Sequence, residues 1–490
     1  MKGLSLANIA SACGGTYMGP ENTRNQEITG VAIDSRKIEE GFLFVPIKGA
    51  RVDGHDFIEQ VMKAGALCTL SEHPLDGASY PYILVDSSEQ ALKDLARFYR
   101  SQLDLKVIGI TGSVGKTSTK ELIASVLEQK YRVLKTEGNY NNEIGLPLTI
   151  FRLTEEDEIA VLEMGIDHFG EMHRLADIAR PDVCVITNIG YAHLENLGSR
   201  EGILQAKTEM FDHLQPEFAV VLNGDDDMLR TVADVHGQKP VFFGIDSAAP
   251  VFASHIENRG LKGTLCTIQL PACGDVPETT IQADIPIPGK HMVYNALAGA
   301  YIGHLFGLTP KEIEAGIHAL QPVTGRNHLI ETETLTILDD CYNANPASMR
   351  ASLDVLALAT GRRAAVMGDM KELGENENQL HFETGEYAAR KGIDMIICIG
   401  PLAKQMYQGA RNIASGNTIL YYPDKEGFLR DLPSLFEAGD TILVKASNSM
   451  KFPEIVEALT AFHISAEADT ISEMANEAVA TTNTEEGAAQ

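Results

Sequence analysis

The chain has 490 residues, with 68 Asp and Glu against 40 Lys and Arg, giving a formal net charge of −28. That length exceeds a single hydrophobic core and implies about three domains. The acidity excludes general nucleic-acid binding, so an anionic substrate must be held by local cations, backbone N–H groups or metal ions. The seven cysteines are scattered and form no CxxC pair, which excludes a disulfide frame and a cysteine zinc site. No apolar run reaches the length of a membrane span, and the opening stretch reads as an amphipathic helix. A cytoplasmic protein with no membrane insertion is expected.

Residues 1–104 mix short strands and helices. A strand is predicted over Phe42–Ile47. Polar loops flank it at Asp34-Ser35-Arg36 and at Lys48–His55, and composition alone reads both as surface loops. From Leu105 the apolar runs Val107–Ile110, Ile159–Glu163, Val183–Thr187 and Ala219–Leu222 alternate with helical patterns. This predicts an α/β domain with a doubly wound, mostly parallel sheet. Chemistry in such sheets gathers at the C-terminal ends of strands. Here those ends carry Gly112–Ser118, Glu163, Asn188, His193 and Asn223-Gly224-Asp225.

Residues 250–287 read as an antiparallel excursion, after which Pro288 opens a helix. A second alternating unit starts near Arg326, with strands predicted at Leu335–Leu338, Ala364–Met367, Met395–Ile399, Thr418–Tyr421 and Thr441–Val444. It is Rossmann-like but lacks GxGxxG, so no dinucleotide is indicated. The predicted division is 1–104, 105–325 and 326–464. The tail 465–490 is acidic, has no Lys or Arg, and is expected to be disordered.

One stretch organises the rest: Val107-Ile-Gly-Ile-Thr-Gly-Ser-Val-Gly-Lys-Thr-Ser118. Strand, Gly-rich turn, Lys-Thr and helix follow in the order of a P-loop. Its N–H groups can curl around a phosphate chain at a helix N-terminus. Lys116 can reach the outer phosphates, and the Thr117 hydroxyl can ligate Mg²⁺. The usual first glycine is replaced by Ile110, so the turn is a variant. Glu163, ending its strand, is placed to bind Mg²⁺ beside that loop. Lys207 lies in a helix that starts near Ser199, and spacing alone makes it a solvent-facing lysine. Asp339-Asp-Cys-Tyr-Asn-Ala-Asn-Pro-Ala-Ser348 ends a strand of the second unit, and Asn345 to Ser348 reads equally well as a helix cap.

These motifs, with Gly138–Pro147, Asn188–His193, Gly289–Asn295 and Gly325-Arg326, resemble the Mur ligase family. Its members are three-domain, ATP-dependent, amide-bond-forming enzymes of bacterial cell-wall synthesis. The resemblance covers residues 1 to about 463, and the P-loop variant is the one this family uses. The Asn343-Ala-Asn-Pro-Ala-Ser-Met349 run points to the branch that joins D-alanyl-D-alanine to UDP-N-acetylmuramoyl-tripeptide. It implies an N-terminal domain for the UDP substrate, a central ATP domain and a C-terminal ligase domain. It further implies that Gly112, Ser113, Val114, Gly115, Lys116, Thr117 and Ser118 hold ATP phosphates, and that Asn295, Arg326 and Asp340 contact the nucleotide. Thr117, Glu163, His193 and Lys207 match metal-site positions, with Lys207 carbamylated. Lys116, Lys207 and His193 are the implied catalytic set. Ser35, Arg36, Asn141, Asn142, Asn343 and Asn345 are the implied substrate contacts, and a monomer is expected. Lys445-Ala-Ser-Asn448 departs from the Lys-Gly-Ser-Arg of relatives. Two alternatives stand beside this reading. One is another ligase of the family, adding the third peptide residue or resembling folylpolyglutamate synthase. The other is a P-loop ATPase or regulatory module.

Overall fold

The computed structural model describes residues 1–413 and 416–462, and the acidic tail lies outside the described residues. The chain is α/β, built on three sheets, and divides into two compact units. The first comprises residues 1–258, 264–286 and 290–321, and the second comprises 259–263, 287–289 and the residues from Pro322.

In the first unit, a five-stranded sheet is formed by β1 (Thr16–Met18), β2 (Gly30–Ala32), β3 (Phe42–Phe44), β4 (Cys68–Ser71) and β5 (Tyr82–Leu84). Its order is β1-β5-β4-β3-β2. Strand β3 is shorter than predicted from Phe42–Ile47, because Pro46 has no N–H to continue a ladder. Helices α1 (Leu6–Ala12), α2 (Ile58–Lys63) and α3 (Ser88–Ser101) accompany it.

The central sheet has nine strands: β6 (Lys106–Thr111), β7 (Val133–Lys135), β8 (Ile159–Glu163), β9 (Val183–Ile186), β10 (Ala219–Asn223), β11 (Val241–Gly244), β12 (Val251–Asn258), β13 (Thr264–Leu270) and β14 (Thr279–Ile285). Their order is β14-β13-β12-β11-β10-β9-β6-β8-β7. The pairings from β7 through β12 are parallel, and β12, β13 and β14 run antiparallel, as predicted for residues 250–287. Strand β6 lies between β8 and β9, so the chain winds both ways from it. That switch point is where open α/β sheets bind ligands. The helices are α4 (Lys116–Leu127), α5 (Gly145–Ile150), α6 (Glu171–Ala179), α7 (Leu194–Leu197), α8 (Arg200–Thr208), α9 (Lys290–Leu305) and α10 (Pro310–His318).

Helices α9 and α10 press on α4, and glycines permit it. A Cβ on Gly299 would stand 2.1 Å from Leu122, and one on Gly316 would stand 2.4 Å from the Val126 Cα. The α4 helix behind the P-loop is therefore held on two sides. The N-terminal sheet and the central sheet share one apolar core that runs from Leu4 through Leu92, Leu95, Leu146 and Leu175 to Val235. Polar bonds reinforce it, with Tyr99 donating to Leu153 O at 2.7 Å and buried Arg100 donating to Leu103 O and Leu105 O.

The second unit has β15 (His328–Glu331), β16 (Thr336–Asp339), β17 (Arg363–Gly368), β18 (Met395–Ile399), β19 (Thr418–Tyr422) and β20 (Thr441–Lys445), in the order β15-β16-β20-β17-β18-β19. Only the β15–β16 pairing is antiparallel. Helices α11 (Pro346–Leu356), α12 (Glu377–Arg390), α13 (Ala403–Ile413), α14 (Lys425–Asp431) and α15 (Pro453–Thr460) cover the sheet, with apolar clusters on both faces.

Candidate active site

The loop after β6 is clamped by the end of β9. The Asn188 carboxamide accepts the Val114 N–H at 3.0 Å and donates to Val114 O at 2.9 Å. Thr187 Oγ1 donates to the same carbonyl at 2.6 Å, and Ser113 Oγ accepts the Gly190 N–H at 2.9 Å. Gly112 has φ +150°, and a Cβ there would meet Thr187 Oγ1 at 1.9 Å. Only glycine lets the turn approach β9 so closely. Gly115, with φ +84°, turns the chain into α4, whose first residues are Lys116, Thr117 and Ser118. The free N–H groups of a helix start then point at the loop's mouth.

Thr117 and Glu163 come together as predicted. Thr117 Oγ1 donates to Glu163 Oε2 at 2.7 Å, and both side chains are buried. The other carboxylate oxygen accepts from Asn141 Nδ2 at 2.8 Å. Asn141 is fixed in turn by Gly165, whose N–H donates to its carbonyl. Asn142 Oδ1 accepts the Gly145 N–H at 2.8 Å and starts α5. Lys116 Nζ donates to Gly112 O at 2.8 Å, arching over its own loop.

Lys207 is not solvent-facing, as spacing alone would make it. It is 1 % exposed, on a helix capped by Ser199 as predicted, with Ser199 Oγ accepting the Gly202 N–H. Burial, with Lys116 nearby, pushes its pKa well below the usual lysine value. His193 sits in the same field. Burial, then Lys116 and Lys207, pulls its pKa down to about 4. Its imidazole is therefore neutral at pH 7, with one ring nitrogen a donor and the other an acceptor. His193 also adopts φ +60° at the start of α7, a sparsely populated conformation that concentrates at functional sites.

Asn295 is buried on α9, and its Oδ1 accepts from Thr119 at 2.9 Å. The carboxamide is thereby anchored to α4, one turn behind the P-loop.

In the second unit, strand ends form another polar cluster. Asp340 accepts from Lys445 Nζ at 2.6 Å, from Ser352 Oγ, and from the Asn327 N–H at 3.1 Å. Asp339 accepts the Gly325 N–H at 2.9 Å. The Arg326 guanidinium lies 4.1 Å from the centre of the Tyr342 ring, a cation–π contact. Asn345 caps α11 in a reciprocal box with Ser348, the reading its sequence equally allowed. Asn343 Oδ1 accepts the Ala344 N–H.

Ser35 and Arg36 lie on a short 3₁₀ turn capped by Asp34. Arg36 reaches back to both Asp34 oxygens, at 2.9 and 2.8 Å, while its side chain stays 84 % exposed. The Arg36 side chain and N–H hold the Asp34 pKa down at about 2.

Two features escaped the residue-level reading. Asn188 was visible as a strand-end polar residue, but its clamp depends on β9 lying beside β6. The second is Asp369, fully buried at the end of β17, which accepts from Ala403 N–H and Lys371 Nζ at 2.8 Å each. Its only sequence signal was its place after an apolar run.

The chain matches three family models: the Mur ligase family catalytic domain over 27–100, the Mur ligase middle domain over 110–303, and the Mur ligase glutamate ligase domain over 325–448. It is 38 % identical over 460 residues to the UDP-N-acetylmuramoyl-tripeptide–D-alanyl-D-alanine ligase of Bacillus subtilis, covering 93 % of this chain and 98 % of that protein. Among solved structures it is similar to MurF from Acinetobacter baumannii, with a TM-score of 0.84, 30 % identity, and coverage of 94 % and 99 % of the two chains. It is also similar to the MurF ligase of Thermotoga maritima in complex with ADP, with a TM-score of 0.77, 32 % identity, and coverage of 88 % and 97 %. The P-loop variant, the buried Glu163 and Lys207, and matches that together span most of the chain place it in one group: the chain belongs to the Mur ligase family.

Proposed function

We propose that this protein is an ATP-dependent ligase that joins D-alanyl-D-alanine to UDP-N-acetylmuramoyl-tripeptide in the cytoplasm, working as a monomer. The relatives named for that reaction support the choice of substrates. The observation that carries the chemistry is the buried, cation-rich P-loop site, where Lys116 and Lys207 raise the potential and Glu163 is held ready by Thr117 and Asn141. No helix among the described residues is long and apolar enough to cross a membrane. The proposed domains are 1–104 for the UDP substrate, 105–325 for ATP and 326–464 for ligation. Arg326, Asp340 and Asn295 are proposed nucleotide contacts, and Ser35, Arg36, Asn141, Asn142, Asn343 and Asn345 are proposed substrate contacts.

In this reading the tripeptide's terminal carboxylate attacks the γ-phosphorus of ATP, and the bond to the β-phosphate oxygen breaks, giving an acyl phosphate and ADP. The amine of D-alanyl-D-alanine then attacks the acyl carbon. Inorganic phosphate leaves, and the amine proton passes to a base. Lys116 and the N–H groups of Gly112–Ser118 hold the phosphates and stabilise charge on the transferred group. The oxygens of Thr117 and Glu163 fit Mg²⁺, a hard cation that prefers oxygen ligands, and a neutral His193 adds no charge to repel it. Mg²⁺, when bound, would neutralise phosphate charge and orient the γ-phosphoryl group.

Lys207 completes the set only as a carbamate. Carbamylation needs a neutral amine, and burial beside Lys116 shifts the proton affinity in the direction that favours one. The product is an oxygen-donating anion in place of a buried cation.

The test is ADP and phosphate release with a panel of UDP-muramoyl peptides and acceptors. Turnover is expected only with the tripeptide and D-alanyl-D-alanine together. Turnover with a UDP-muramoyl dipeptide and a single amino acid, or without any acceptor, would overturn the assignment. Lys207→Ala is expected to be folded and nearly inactive, with partial recovery on adding a short carboxylic acid. Full activity of that variant would refute the carbamate.

A further inference from the structure

At the C-terminal end of β6 the Thr111 hydroxyl is fully buried and has no hydrogen-bond partner. The hydroxyls around it in the P-loop and α4, on Ser113, Thr117 and Thr119, each have one. A buried hydroxyl left unpaired costs its full desolvation, so it points to an acceptor that joins later.

The pleat decides what faces it. Alternate residues of a strand share a face, so Val107, Gly109 and Thr111 point one way and Ile108 and Ile110 the other. Val107 packs in the same apolar core as Ile203, Ala206 and Met210. A Cβ on Gly109 would stand 3.3 Å from Met210 Sδ. Met210 therefore lies over β6, and the layer containing α8 covers the face that carries Thr111.

Helix α8 runs back along the sheet. At its start, Arg200 donates to Ile189 O, just past the end of β9. Beyond its end, the Gln215 N–H donates to Pro181 O, just before β9 begins. The helix is thus antiparallel to β9 and to its parallel neighbour β6. Lys207 precedes Met210 by nearly one turn, so it shares that face and lies nearer the C-terminal edge of the sheet. Thr111 is displaced from Gly109 in the same direction. Helical side chains lean toward the helix N-terminus, which is again that direction. The buried Lys207 side chain is thereby aimed along β6 at Thr111. Since Thr111 has no partner, the bare amine stops short of it. A carbamate would lengthen the side chain by a carboxylate and bring acceptor oxygens toward the hydroxyl.

We propose that the Thr111 hydroxyl donates a hydrogen bond to a carbamate oxygen on Lys207 and so holds the carbamate in place. This rests on the carbamate reading given under the proposed function. In forming it, the neutral amine's lone pair attacks the carbon of CO₂. The C–N bond forms, one C=O π pair moves onto oxygen, and one proton leaves the nitrogen for solvent. Thr111 is a positioning residue, acting through Lys207. One hydrogen bond to the charged product should favour carbamylation about tenfold or more.

The experiment is carbon-13 NMR of the full-length protein in Mg²⁺, titrated with ¹³C-bicarbonate. Wild type, Thr111→Ser and Thr111→Val are compared, with Lys207→Met as the spectral blank. Thr111→Ala is a second hydroxyl-free variant should valine crowd the site. Wild type is expected to show one carbamate resonance that the blank lacks. Half-saturating bicarbonate should rise about tenfold or more in Thr111→Val and return close to wild type in Thr111→Ser. Ligation by Thr111→Val should recover as bicarbonate is raised. In bicarbonate-free buffer its Tm should match or exceed that of wild type, because an unpartnered buried hydroxyl has been removed. Unchanged half-saturation in the folded hydroxyl-free variants would overturn the role of Thr111 and leave the carbamate standing. No resonance in wild type would overturn the carbamate itself, and the role of Thr111 with it.

Discussion

At the P-loop, Lys116 and Lys207 both bear on His193, and Lys207 is buried with a proton affinity well below that of a lysine in water. At the strand ends of the second unit, two largely buried carboxylates meet a cation directly. Asp340 pairs with Lys445 at 2.6 Å and Asp369 with Lys371 at 2.8 Å. The contrast separates two uses of buried charge. Paired ions fix loops and hold them in register. Like charges brought close in a buried site lower each other's proton affinity and favour an incoming anion, a phosphate or a carbamate.

The largest effect is expected at Lys116. Lys116→Ala should cost on the order of a thousandfold in turnover, because charge stabilisation of the transferred phosphoryl group is lost. Near-normal ligation would remove the P-loop from the chemistry.

The stability counterpart uses one substitution in both regions. Lys445→Met leaves the Asp340 carboxylate without its cation and should destabilise the second unit by about 3–5 kcal/mol. Lys207→Met, in bicarbonate-free buffer, removes a buried amine whose charged form is disfavoured and should leave stability unchanged or raised. Thermal unfolding of both variants decides the matter, and equal losses would break the comparison.

Asp225 provides a milder case inside the first unit. Burial would raise its pKa. N–H bonds from Asp246, Ser247 and Ile245, with the Tyr294 hydroxyl, outweigh that and bring it from 3.8 down to about 2. The unfolded chain therefore takes up the proton first as pH falls. The stabilisation is complete above pH 4 and lost toward pH 2, and it amounts to about 1–2 kcal/mol after solvent screening is allowed for. Asp225→Asn should flatten acid unfolding in that window, and an unchanged pH profile would remove the carboxylate from the account.

Arg36, paired but exposed, should show the smallest effect. Arg36→Ala is expected to raise the KM for the UDP-peptide about tenfold, equivalent to one charge-assisted hydrogen bond, with the KM for ATP unchanged.

The P-loop was legible because strand, turn and helix are contiguous and the Gly112 and Gly115 conformations are written locally. The central parallel runs and the antiparallel excursion were legible for the same reason. Short strands such as β7 and β11 were not, since three or four residues carry no period. The burial of Lys207 depends on how α8 seats Ile203 and Ala206 in the core, which spacing along the helix does not reveal. The Asn188 clamp depends on strand order, which sequence patterns left open.

The core running from Leu4 to Val235 sets a timetable for synthesis. At roughly 5–20 residues per second, the ribosome needs about 6–26 s to pass from Leu105 to Val235. During that interval the N-terminal strands and then α3 emerge with part of their apolar face uncovered. That face is the window in which a holding chaperone would find this nascent chain. Shortening the wait, by faster decoding of the codons for 105–235, should raise the soluble yield more than the same change anywhere after Pro322.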